Sequence, residues 1–274
     1  MKEKTIVITG AGGVLCSAFA KALAKDGHRV ALLDIDQGAA QVIADEITAQ
    51  GGQAIAVKAN VLDHDSLKRA KETVDKAFGP CGVLINGAGG NHPRGTTAAE
   101  TFNPKDVGNP DLLSFFDLDP AGVQFVFNLN FLGALLTTQV FAKEMTETGG
   151  NIVNISSMNA FCPLTKIPAY SAAKAAVSNF TQWLAVHFAG CNIRVNAIAP
   201  GFFVTKQNAS LLFDQDGKPT ARTEKILRNT PMDRFGKPEE LVGTLRYLID
   251  DDAASFVTGI VIPVDGGFSA YSGV

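Results

Sequence analysis

Seven short apolar runs, none of them alternating with polar residues, constrain this chain more than any other feature. They span residues 4–9, 28–34, 53–58, 82–86, 151–156, 193–198 and 259–264. A strand that is apolar along its whole length is buried on both faces, the habit of a parallel sheet sandwiched between helices. The intervening segments agree: residues 14–25, 41–50, 65–78, 122–145, 171–188 and 239–248 read as helices. Strands alternating with helices of this length predict an α/β fold. With 274 residues, 46% of them hydrophobic, and no repeat, low-complexity tract or linker, the reading is one domain over residues 1–274. Two stretches fall outside the alternation, 91–120 and 202–238. Loops this long in a compact domain are usually functional, and they are read as an inserted loop region and a substrate lid.

A net charge of −3 gives no electrostatic reason to expect nucleic acid or an anionic membrane as partner. The four cysteines, Cys16, Cys81, Cys162 and Cys191, form no C-x-x-C pair, so neither zinc nor dithiol chemistry is expected and no metal is assigned. The N-terminus runs straight into the first strand, and no apolar run of membrane-spanning length stands out. A cytoplasmic protein with reduced thiols is the expectation.

The first run leads into T-G-A-G-G, and the second ends in Asp34, 24 residues after Gly10. Strand, glycine cluster, helix and then an acid is the order of a dinucleotide site. Gly10 permits the tight turn. Gly13, Val14 and Leu15 open the helix, whose free amides and positive dipole end suit a pyrophosphate. Asp34 is expected to accept a hydrogen bond from the adenosine ribose 2′-hydroxyl and to repel a 2′-phosphate, so NAD is expected ahead of NADP. A second turn, Asn86, Gly87, Ala88 and Gly89, follows the fourth strand. Asp36 reads as a solvated turn residue.

Downstream, Tyr170 and Lys174 are four residues apart on one face of a predicted helix, with Ser157 thirteen residues before the tyrosine. A free phenol titrates near ~10, too high for ready proton exchange at neutral pH. A neighbouring ammonium favours the phenolate. Ser157 would hold a carbonyl or hydroxyl oxygen while Tyr170 gives or takes its proton. Taken alone, Y-x-x-x-K is also what an accidental pair on a solvated helix looks like.

In order and spacing, T-G-A-G-G from Thr9, N-G-A-G at 86–89, Asn130 in N-L-N-F-L-G, I-S-S ending at Ser157, Y-S-A-A-K from Tyr170, P-G-F-F-V-T at 200–205 and D-G-G from Asp265 resemble the short-chain dehydrogenase/reductase family. The resemblance covers nearly the whole chain. It implies a Rossmann-type doubly wound parallel sheet and a nicotinamide-dependent oxidoreductase with a tetrad of Asn130, Ser157, Tyr170 and Lys174. Tyr170 is then the acid/base, and Lys174 lowers its pKa and holds the nicotinamide ribose. Ser157 binds the substrate oxygen, and Asn130 supports a water that links Lys174 to solvent. Asn60 and Val61 would flank the adenine, residues 86–89 would line the cofactor, and Pro200, Gly201, Phe203 and Thr205 would wrap the nicotinamide carboxamide. A homotetramer or homodimer is also implied.

One departure stands out: Val14 and Cys16 occupy the family's second and third glycine positions. The second normally lets backbone approach the pyrophosphate and the third lets helix pack on strand. The segment from Asn86 to Asn130, 44 residues, is longer than the family's usual spacing. Asn91, His92 and Arg94 leave the fourth strand where a substrate would meet the nicotinamide. Arg94 suits a carboxylate bidentately and His92 a hydroxyl, with Lys206 of the second loop as the competing cation. G-G-N-H-P, with F-F-D-L-D ahead of the Asn130 helix, resembles the sugar-acid branch of the family, labelled D-mannonate oxidoreductase (fructuronate reductase) or gluconate 5-dehydrogenase-like. The expected reaction interconverts a secondary alcohol and a ketone on a sugar acid, D-mannonate/D-fructuronate. The alternatives are another polyol or keto-acid reductase, and a non-catalytic NAD(H)-binding sensor or scaffold.

Overall fold

The computed structural model describes residues 2–205 and 209–273. Seven parallel strands form one sheet: β1 (Thr5–Thr9), β2 (Arg29–Asp34), β3 (Gln53–Lys58), β4 (Val83–Asn86), β5 (Gly150–Ile155), β6 (Ile193–Pro200) and β7 (Val261–Val264), in the order β3-β2-β1-β4-β5-β6-β7. The chain starts at the middle of the sheet, builds outward to β3, and then crosses back to build the other half from β4. The reversal therefore lies between β1 and β4, which pair with Ile8 opposite Ile85. Ligands of doubly wound sheets bind at the carboxyl ends of the strands at this switch point. Both glycine turns lie there.

Side chains leave a strand alternately to its two faces, and here both faces are apolar. Ile6 and Ile8 pack with Phe19, Leu23, Leu245 and Leu248, from α1 (Val14–Lys25) and α9 (Val242–Ile249). Val7, between them, faces the other way, toward Leu67, Phe141, Met145 and Leu184. Those residues belong to α3 (His64–Phe78), α5 (Gly133–Thr148) and α6 (Pro168–His187). Helix α2 (Gln37–Ala49) completes the first layer and starts four residues before the expected position. Asp36 is the reason: its side chain accepts from the Ala39 amide and caps the helix. Asp63 caps α3 in the same way through Asp65 and Ser66.

Two differences bear on the site. The predicted single helix over 122–145 is two, α4 (Pro120–Phe127) and α5, joined by a π-turn at Asn128–Leu132. The combined Pro120–Thr148 segment is long and apolar enough to cross a membrane by length and composition, but half of its most apolar window is buried inside the fold, as in a core helix. The second irregular stretch carries α7 (Ala209–Leu212) and α8 (Ala221–Arg228), which periodicity did not reveal. The first consists of loops with short 3-10 turns at Pro93–Gly95, Pro104–Asp106 and Phe115–Asp117.

Candidate active site

Gly10 leaves β1 with φ +65°, and a Cβ there would come within 2.9 Å of the Ala88 Cα. The two glycine turns thus touch backbone to backbone. Gly13 caps α1 without contributing a side chain, so no side-chain acceptor competes for the first-turn amides at Val14 and Leu15. Asp34 ends β2 beside them: its Oδ2 accepts from the Gly12 amide at 2.9 Å, and its Oδ1 from the Asp36 amide at 2.9 Å. Two backbone donors therefore fix a carboxylate at the rim of the turn. A helix end with open amides next to a fixed carboxylate fits a dinucleotide with a free ribose hydroxyl.

The two missing glycines have structural answers. Val14 is half-buried at the first turn of α1. Cys16 is buried and directs its sulfur at Gly87, where an added Cβ would overlap it. The space gained by lacking a glycine on the helix is given back by a glycine on the facing turn. Burial pushes the Cys16 thiol up to about 12, which makes it a packing group, not a nucleophile.

Asn60 is locked in a turn, its Oδ1 accepting from Leu62 and its amide donating to Ser66 Oγ. Val61 packs on Gly133 at the start of α5. Asn86 is buried; its Nδ2 donates to Asn154 Oδ1 at 2.8 Å and Thr138 Oγ1 at 3.0 Å, tying β4 to β5 and α5. Pro200 ends β6, and the amide of Gly201 just after it donates to Val264 O. The Phe203 ring is turned into the core beside Gly236. Thr205 lies just before the undescribed segment, and Lys206 lies outside the described residues.

The tetrad converges at the ends of β4 and β5. Ser157 follows β5 and hydrogen-bonds Tyr170. Lys174 is 4% exposed, and its Nζ donates to Ile155 O at 2.7 Å. Burial holds the ammonium down at about 8. The π-turn aims Asn130 inward, where its Nδ2 donates to Gly90 O and Val126 O, both at 2.7 Å, and its Oδ1 accepts from the Gly90 amide. A Cβ on Gly89 would sit 2.6 Å from Asn130 Oδ1 and 3.2 Å from Lys174 Nζ, so only glycine lets these two side chains approach the turn. Burial pushes the Tyr170 phenol above its ordinary value, opposed by the Ser157 hydrogen bond. The Lys174 ammonium lies 5.6 Å from the centroid of the tyrosine ring while it donates to Ile155 O.

On the substrate side, Asn91 Nδ2 donates to Thr96 Oγ1 at 2.9 Å. The His92 ring packs tilted on Phe125 with centroids 5.1 Å apart, and its Nδ1 accepts from the Arg94 amide. The Arg94 guanidinium is exposed and donates through Nη1 to Asp119 Oδ2 at 2.5 Å. Asp119 also caps α4 through the Ala121 amide. The insertion is thus fastened to the start of α4, and also to α8 through an ion pair between Glu100 and Lys225.

A family model for short chain dehydrogenases matches residues 4–216. The chain belongs to the short chain dehydrogenase family. An uncharacterized oxidoreductase of Haemophilus influenzae is 60% identical over 275 residues, covering 100% of this chain and 96% of the relative. The uncharacterized oxidoreductase UxuB of Bacillus subtilis is 56% identical over 272 residues, covering 99% and 96%. Among solved structures, a candidate D-mannonate oxidoreductase from Haemophilus influenza with bound NAD superposes with a TM-score of 0.95 at 58% identity, covering 100% of this chain and 98% of that one. As a family member the chain is an oxidoreductase, and the seven-stranded sheet is the family's. Sequence reasoning missed Asp119 as the partner of Arg94 and Lys166 as a residue at φ +71° whose carbonyl accepts from the Thr97 amide. The first is a common capping residue and the second an ordinary lysine, so neither carried a local signal. Asn159, buried two residues after Ser157, was also missed.

Proposed function

We propose that this protein is an NAD-dependent oxidoreductase that interconverts a secondary alcohol and a ketone on a sugar acid, D-mannonate/D-fructuronate. The observation that carries this reading is the convergence of Ser157, Tyr170, Lys174 and Asn130 beside the turn at 86–90, which touches the Gly10 turn that Asp34 closes. The similarity to a solved structure with bound NAD supports the cofactor, and that structure's description supports the sugar acid. Asp34, the α1 amides, Asn60, Val61, residues 86–89, Lys174, and backbone at Pro200, Gly201, Phe203 and Thr205 would hold NAD. Bound there, its nicotinamide supplies the hydride acceptor for oxidation.

The chain's own residues handle oxygen and proton. Ser157 Oγ holds the substrate oxygen against Tyr170, whose Oη takes the hydroxyl proton in oxidation and returns it in reduction. Lys174 favours the phenolate once its charge is brought to the hydroxyl. Arg94 has guanidinium donors beyond the one on Asp119 to offer a carboxylate, with Asn91 and His92 beside it for hydroxyls and Lys206 as the alternative cation. The assembly inferred is a homotetramer or homodimer in the cytoplasm.

Absorbance of NADH with a panel of hexonates and their keto forms tests the reaction. Turnover of none of them would sink the sugar-acid reading and reopen the non-catalytic binder. Comparing kcat/KM with NAD and NADP tests the cofactor: NAD is preferred, and Asp34→Ala narrows the gap. A preference for NADP in the wild type would remove Asp34 from its role.

A further inference from the structure

The turn after Ser157 holds a polar group with nothing to bind. Met158–Ala160 forms a 3-10 turn whose Asn159 amide donates to Ser157 Oγ at 3.2 Å. Asn159 is 4% exposed, and its Oδ1 is buried without a partner. Two other asparagines also bury an unpartnered Oδ1, Asn86 and Asn151, but each of them uses its Nδ2: Asn86 on Asn154 and Thr138, Asn151 on Asp251. Among the described residues the Asn159 carboxamide makes no hydrogen bond from either end. Buried amides are almost always paired, and an unpaired one beside a catalytic hydroxyl is a site whose partner arrives from outside the chain.

We infer that Asn159 sets substrate specificity by hydrogen-bonding a hydroxyl on the carbon next to the reacting one. Position supports this: the Asn159 backbone amide donates to Ser157 Oγ, so the turn that carries the idle carboxamide is built directly on the hydroxyl proposed to hold the substrate oxygen. Chemistry selects the partner. A hydroxyl both donates and accepts, so it satisfies the carboxamide in either orientation. A carboxylate only accepts and leaves Oδ1 unfilled, and an unsubstituted ketone leaves the whole amide unpaired. A site built to bind a hydroxyl discriminates strongly against the analogue that lacks it. The inference deepens the sugar-acid reading and rests on it for the identity of the natural substrate, because a hexonate carries a hydroxyl on each carbon flanking the reacting one or a carboxylate in its place.

The test uses matched pairs of substrates with NAD: a hexonate against its analogue lacking the neighbouring hydroxyl, and 2,3-butanediol against 2-butanol. Wild type, Asn159→Leu and Asn159→Ser are compared, with NAD binding and Tm checking that the fold persists; Asn159→Ser carries the comparison if the leucine variant does not fold. The wild type should favour the hydroxylated member of each pair. In Asn159→Leu that preference should fall about ten-fold to a hundred-fold, nearly all of it lost from the hydroxylated member. Asn159→Ser should keep part of the preference. Equal losses on both members, a wild type indifferent to the hydroxyl, or turnover of neither pair overturns the inference. A diol preference that depends on Asn159 without any turnover of hexonates retires the sugar-acid reading and leaves the Asn159 assignment standing.

Discussion

In the proposed reaction Tyr170 takes a proton during oxidation, yet its surroundings push the phenol above its ordinary value. Among the chain's own groups only the Ser157 hydrogen bond opposes burial there. Of the three tyrosines in the sequence, one is removed by Tyr170→Phe, so the difference in tyrosinate absorbance between wild type and variant isolates this phenol. Without cofactor it should titrate above ~10, and Tyr170→Phe should lower turnover ~10²–10⁴-fold with NAD binding retained. A titration below 10 in the free protein would mean that Lys174 alone activates it. Ser157, Tyr170 and Lys174 stood out in the sequence by residue type and spacing, and Asn130 through the resemblance to the family. The direction of the phenol's shift did not, because it depends on how deeply the folded chain buries the ring, which no local pattern announces. Gly87 gives a second test. Gly87→Ala should lower Tm and weaken NAD binding, and Cys16→Ala in the same chain should restore part of the loss. The restoration is partial because a Cβ at 87 would also lie 2.8 Å from Thr9 O. No difference between Gly87→Ala and the double variant would show that the sulfur is not the obstacle.

At the level of elements, the π-turn and the insertion shape the substrate side. The strands were readable because burial on both faces leaves an unbroken apolar run. The π-turn was not, since Asn128–Leu132 runs continuously with the helices that it joins and differs in its backbone bonds, which residue types do not announce. The insertion's fastening by Arg94 and Asp119 was equally hidden, being a contact between residues 25 positions apart. It also makes the role of Arg94 decidable. A hydrogen bond to a charged group is worth ~1.5–3 kcal/mol. If Arg94 binds the substrate carboxylate, Arg94→Ala raises KM for a sugar acid about ten-fold to a hundred-fold, and Asp119→Asn, which frees the guanidinium, leaves KM equal or lower. If the pair only braces the loop, both variants raise KM together, and charged and uncharged substrates suffer alike.

For the molecule as a whole, keeping a catalytic lysine dry has a cost. Lys174 is held at about 8 against an ordinary 10.5, so the unfolded chain binds its proton over a range where the folded chain does not. The folded state is therefore penalised fully below pH 8, and the penalty fades as pH rises to 10.5. That gap corresponds to about 3 kcal/mol. Cys16, held protonated up to about 12 against an ordinary 9.0, acts oppositely above pH 9.0, and because the Lys174 charge lowers that thiol the comparison is cleanest below pH 9.0. Denaturant unfolding of Lys174→Met against wild type should show an advantage for the variant that is greatest below pH 8 and shrinks toward pH 10.5. A difference independent of pH would place Lys174 in a wetter setting.

The sulfur of Cys16 and the bare backbone of Gly87 also impose an order on inheritance. With cysteine on the helix, a descendant that gains a side chain at 87 first loses stability, because the newcomer lands on the sulfur. A descendant that first loses the sulfur passes through a state with an empty space under the cofactor turn before the second change can fill it. The path back to a helix glycine is thus easier in one sequence of steps than in the other, and two lineages that differ at both positions record which came first.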